Sequence, residues 1–234
     1  MRMRARAAAI VLVCVVSLAF ASCGGHPATR VLFVGNSFTF YNGGIDAQLA
    51  RLAPSVRASS VAVGGYTLDR HWHGGTVPQA IRDGHWTYVV LQEQSQLPVI
   101  DPAMFRQGVT ELDRAIAASG ARTVLLMTWE RPDSVGEGVT TANLAAAYDA
   151  LGADLKIKVA PVGLAFADAL AQRPGLVLYG PDGHPTMQGT YLAACVVYAT
   201  ILGRSPVGIA YADKSISPEL RDFFQQIAAQ SLVG

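Results

Sequence analysis

Five short apolar runs, separated by stretches of helical period, constrain this 234-residue chain more than any single motif does. They are residues 31–35 (VLFVG), 56–63 (VRASSVAV), 87–92 (TYVVLQ), 122–129 (RTVLLMTW) and 156–162 (KIKVAPV). Their apolar residues run on without strict alternation, the pattern of strands buried on both faces of a parallel sheet. Parallel neighbours need a crossover, and the stretches between the runs supply it. In 102–119, Asp101 can cap, Pro102 suits the first helical position, and Phe105, Val109, Leu112 and Ile116 recur at helical spacing before Gly120 stops the helix. Further helices are expected over 139–153 and 186–202, the second ended by Gly203. Strand and helix alternating about five times predicts a single doubly wound α/β domain, three layers deep, with a parallel sheet of about five strands. No internal repeat or long low-complexity linker divides it, and a chain of 234 residues, 51% of them hydrophobic, suits one core.

The formal charge of +1, with no Lys/Arg cluster beyond the N-terminus, lacks the electrostatic footprint of a nucleic-acid binder. Residues 1–23 are expected to be an export signal: MRMRAR is a basic start, AAAIVLVCVVSLAFA an apolar run, and small residues follow at Ala21 and Ser22. Two processing routes stay open. Ala19-Phe20-Ala21 suits ordinary signal peptidase, whereas Phe20-Ala21-Ser22-Cys23-Gly24 resembles a bacterial lipobox that would lipidate Cys23 and tether the chain to a membrane. The apolar run is short for a spanning helix. Residues 24–29, including His26, then form a short tether and 30–234 the domain, in an exported protein that is either a cell-envelope lipoprotein or secreted. Cys14 lies in the signal and Cys23 at the cut, so Cys195 stands alone in YLAACVVYATIL, with no intrachain disulfide and the role of a small core residue.

Ligands of open α/β sheets bind beyond the carboxyl ends of the strands. After the successive runs come Gly35-Asn36-Ser37, Gly64-Gly65-Tyr66-Thr67, Gln92-Glu93-Gln94-Ser95-Gln96 and Trp129-Glu130-Arg131-Pro132-Asp133, while Pro181-Asp182-Gly183-His184-Pro185 opens the last long helix. A serine, a histidine preceded by an aspartate, and backbone N–H groups freed by glycines are the parts of an acyl-transfer site. Ser37 would attack a carbonyl, His184 would take its proton, and Asp182 would orient the imidazole. Taken alone, Ser37 reads equally well as a helix cap after a strand.

Three spaced blocks, VLFVGNSFT, VAVGGYTL and DGHPTMQGTYLAA, resemble those of the SGNH (GDSL-type) hydrolases, in the family's order and over nearly the whole mature chain. The resemblance implies the flavodoxin-like fold of that family, Ser37 as nucleophile, His184 and Asp182 as its partners, and Gly65 as a backbone donor to the oxyanion hole. Two departures stand out. Where the family carries Gly-x-Asn-Asp this chain has VVLQEQSQLP, so the amide of Gln94, or failing that Gln92, would have to replace the asparagine. Asp182 also precedes His184 by two residues instead of three, with Gly183 free to compensate.

The implied activity is hydrolysis of an ester through a Ser37 acyl-enzyme, needing neither metal nor organic cofactor. O-acetyl groups on a glycan would suit an envelope enzyme, with Asn36 and Trp129 as substrate contacts and Trp72 and Trp86 able to stack on sugars if they line the cleft. A lipase- or thioesterase-like acyl hydrolase is the alternative within the class, and a catalytically silent carbohydrate-binding lipoprotein the alternative outside it. His71 and His73 could offer two metal ligands if extended, but no third stands at motif spacing, which favours a pocket rim. Glu130, Arg131 and Asp133 are expected in a solvated loop or at polar substrate groups, and His85-Trp86, at the amino end of a strand, in packing.

Overall fold

The structure is a computed structural model and describes residues 28–230. Its centre is one parallel sheet of β1 (Thr29–Gly35), β2 (Val56–Ala62), β3 (Tyr88–Leu91), β4 (Arg122–Leu126) and β5 (Lys158–Ala160), in the order β2-β1-β3-β4-β5. The helices are α1 (Ser37–Phe40), α2 (Ile45–Leu52), α3 (Leu68–His73), α4 (Thr76–Asp83), α5 (Leu97–Ile100), α6 (Pro102–Ala118), α7 (Thr141–Leu155), α8 (Val162–Gln172), α9 (Met187–Leu202) and α10 (Pro218–Gln230). The doubly wound α/β architecture is thus the one its apolar runs predict.

Alternate residues of each strand face opposite layers. Val31, Phe33, Val90, Val124 and Leu126 pack with Leu49 of α2, Phe166 of α8, Leu192 of α9 and Phe224 of α10. On the other face Leu32, Val34, Val89, Leu91 and Leu125 meet Leu68 of α3, Ile81 of α4, Leu112 of α6 and Leu144 of α7. Helix α6 starts as its sequence dictates, with the Asp101 carboxylate accepting the Met104 N–H at 3.0 Å and Pro102 in the first turn. Helix α9 is buried around most of its girth, Cys195 included, and burial pushes that thiol up to about 12, which fits a core residue.

Three expectations need correction. Strand β2 is not buried on both faces: it lies at the sheet edge, and Arg57, Ser59 and Ser60 are exposed. The last two strands are shorter than their apolar runs, because the chain leaves the sheet after Leu126 and after Ala160, where Pro161 cannot donate to a ladder. Strand β1 begins at Thr29, paired with Val56, so the end of the expected tether belongs to the sheet. The signal segment 1–23, with Cys14 and Cys23, and the first tether residues lie outside the described residues.

Candidate active site

The turn after β1 is built to hold Ser37. A Cβ on Gly35 would run into the side chains of Thr39 and Gln92, so only glycine fits there. Asn36 caps α1: its Oδ1 accepts the Phe38 N–H at 3.1 Å, its Nδ2 donates to Tyr66 O at 3.1 Å, and its own N–H donates to Gln92 Oε1 at 3.0 Å. With all these groups engaged and the residue buried, Asn36 is a structural cap, not the substrate contact expected of it.

Ser37 begins α1, and its Oγ lies 2.8 Å from His184 Nε2. His184 Nδ1 lies 2.8 Å from Asp182 Oδ2. A carboxylate can only accept, so Nδ1 carries the proton and Nε2 is left as the base facing Ser37. The two-residue spacing works because Gly183 takes φ +80°, a conformation that favours glycine, and because the other oxygen of Asp182 accepts the His184 backbone N–H at 3.2 Å. That pair of bonds to His184, the ring bond foremost, holds the Asp182 carboxyl below its usual range although the side chain is 64% exposed.

Aromatic rings fix the same histidine. Tyr41 stacks on it with centroids 4.1 Å apart, and Phe38 meets it edge-on at 5.5 Å. Beneath them Trp129 is sandwiched between Phe38 and Phe166, at 4.6 and 4.5 Å, and its Nε1 donates to Gly183 O at 3.0 Å. At 1% exposed, Trp129 supports the triad from below and offers no face to substrate, which corrects its expected role. Trp72 and Trp86 pack against the core cluster on the other side of the sheet. Asn42, in the left-handed region at φ 55°, donates from Nδ2 to Pro185 O at 2.7 Å and Thr190 Oγ1 at 3.0 Å, joining the segment after Ser37 to the segment after His184. Neither Tyr41 nor Asn42 stands in a motif of its own, and the aromatic string FTFYN directly after the serine is the one signal of them in the sequence.

Donors for an oxyanion are at hand. Among the described residues, no acceptor takes the N–H of Ser37 or of Gly65, and Gly65 is exposed at φ +70°. Gln92 is not available: its Oε1 accepts from Asn36 N–H and from Thr39 Oγ1 at 2.8 Å, and its Nε2 donates to Glu93 O. Gln94 accepts at Oε1 from the N–H groups of Gln96 and Leu97, at 2.9 and 3.0 Å. Because both partners are donors, the orientation of this amide is fixed, and its Nε2 has no acceptor among the described residues.

The remaining candidates are structural. His71 and His73 sit on a helix, not a strand, and diverge. His71, buried so that its pKa is lowered, holds Gly35 O at 2.7 Å through Nε2. His73, Asp69 and Glu111 each place one ligand atom within 4.8 Å of the others on α3 and α6, a grouping the serine chemistry does not use. Glu130 caps α7 by accepting the Thr141 N–H at 2.7 Å, and Arg131 pairs with Asp133 while its stem lies against Gly183. Trp86 donates to Ala80 O, in keeping with packing.

No family model and no curated protein matches the sequence. Among solved structures, a candidate SGNH hydrolase from Slackia heliotrinireducens is 30% identical over 74% of this chain and 99% of its own, with a TM-score of 0.66. A DUF4886 family protein from Bacteroides uniformis superposes with a TM-score of 0.74 over 88% of this chain and 95% of its own, at 18% identity. A lipolytic G-D-S-L family member from Veillonella parvula gives 0.59 over 75% and 99%, at 15% identity. The last two are similar in fold.

Proposed function

The chain belongs to the SGNH (GDSL-type) hydrolases, and from that premise we propose that it is a serine esterase acting through an acyl-enzyme on Ser37. One observation carries the proposal: His184 stands 2.8 Å from both the Ser37 hydroxyl and the Asp182 carboxylate. Ser37 Oγ attacks the ester carbonyl as His184 Nε2 takes its proton, and Asp182 stabilises the imidazolium. The tetrahedral oxyanion is received by the N–H groups of Ser37 and Gly65 and by Gln94 Nε2. Collapse expels the alcohol with the proton from His184, and water, activated by the same histidine, releases the acid.

For the substrate, we favour an O-acetylated glycan. Tyr41, stacked on His184, and Phe40, stacked on Tyr41, are 38% and 41% exposed and offer aromatic surface of the kind against which sugar rings pack, and a small acyl group needs no deep pocket. The basic start and apolar run of residues 1–23 further support an exported chain, for which we favour a tether through a lipidated Cys23 over plain secretion. Purified protein incubated with acetylated xylan, acetylated peptidoglycan fragments and short lipid esters should release acetate from one of the glycans; activity confined to the lipid esters would overturn the glycan assignment. Mass spectrometry of the mature N-terminus tests the tether, and an unmodified Cys23 sinks it.

A further inference from the structure

We propose that Glu93 is a positioning residue for the oxyanion hole: one carboxylate oxygen ties the loop that carries Gly65 to the loop that carries the Gln94 amide. Glu93 follows β3 and is fully buried. Its Oε1 accepts the N–H of Leu68 at 3.1 Å and the N–H of Gln94 at 2.6 Å. Leu68 opens α3 three residues after Gly65, so a single atom sets the distance between two of the three donors.

The other two sides of this triangle are already closed. Gln92 joins the β3 loop to the Ser37 turn through Asn36 and Thr39, and Asn36 Nδ2 joins that turn to the Gly65 loop at Tyr66 O. Without Glu93, no hydrogen bond among the described residues would join the Gly65 loop directly to the Gln94 loop. Burying a carboxylate is unfavourable, and here the burden is visible. Desolvation raises the Glu93 pKa to about 7, and Oε2 is buried with no partner among the described residues. An apolar residue would be easier to house but would leave the Leu68 and Gln94 N–H groups without this acceptor. The inference rests on the esterase reading, in which Gly65 and Gln94 face the oxyanion.

The test uses p-nitrophenyl acetate hydrolysis by the wild type, Ser37→Ala, Glu93→Gln, Glu93→Asp and Glu93→Ala. Glutamine keeps an acceptor oxygen at the same reach and should hold kcat within about threefold, whereas aspartate and alanine should lower it about tenfold or more with KM little changed, the mark of a group that acts on the transition state. Folded Asp and Ala variants with wild-type kcat, or a Gln variant as slow as Ala, would overturn the positioning role. Should Asp and Ala fail to fold, amide exchange in the wild type decides. Slow exchange at Leu68 and Gln94 supports the clasp, and exchange as fast as that of exposed loop amides overturns it. Wild-type hydrolysis that does not depend on Ser37 would instead sink the esterase reading, which keeps the two failures apart.

Discussion

At the scale of single residues, Asp182 is where this site departs furthest from a buried triad. Its carboxylate meets solvent, so water screens its hold on the imidazolium. Asp182→Ala should therefore lower kcat by about 10- to 1,000-fold, short of the ~10⁴ seen where a buried aspartate sets the tautomer. Steady-state kinetics check this, and a near-wild-type rate would remove Asp182 from the mechanism. Ser37, Asp182 and His184 are legible only together, through the order of the blocks that carry them, since Ser37 taken alone reads equally well as a helix cap. The roles of the glutamines are not legible. Gln92 and Gln94 are the same residue type two positions apart, and only their surroundings show that one amide is used at both ends while the nitrogen of the other has no acceptor among the described residues. Glu93 stands among the polar residues after the third run without a role of its own, because nothing local shows that its Oε1 meets the Leu68 N–H of α3.

At the scale of elements, the long helices with full periods, α6 and α9, were legible almost to the residue, whereas α3 and α5 contain too few turns for a period to register. That loss misplaced His71 and His73, whose directions reverse between helix and strand. Trp129 differs from expectation for a related reason: its position just past β4 suggests a cleft, while the stack of Phe38 and Phe166 closes over it. Trp129→Phe keeps the stack but removes the donor to Gly183 O. Urea unfolding should show a loss of about 1 kcal/mol, and kinetics a several-fold drop in kcat at nearly constant KM as the His184 loop loosens. Leu112→Ala, in the fully buried stripe of α6, should cost about 2–5 kcal/mol and leave the kcat of the folded fraction unchanged.

At the scale of the whole molecule, the fold brings the loops after β1, β2 and β3 and the turn before α9 to one rim, and stability and function diverge there. The folded chain holds the Glu93 proton more tightly than the unfolded chain, with a pKa raised from 4.5 to about 7. Its contribution to stability is therefore present in full below about pH 4.5, fades as pH rises towards 7, and is gone above it. Thermal melts should thus show Glu93→Gln gaining on the wild type between pH 5 and pH 8, about where Glu93 ionises; an equal difference at both values would count against the buried carboxylate. The central claim, that Ser37 is an activated nucleophile, is tested most directly by intact-protein mass spectrometry after incubation with a fluorophosphonate. The wild type should gain one phosphonyl adduct, located on Ser37 by peptide mapping, and Ser37→Ala should gain none. An unlabelled wild type, or equal labelling of the alanine variant, would contradict the account.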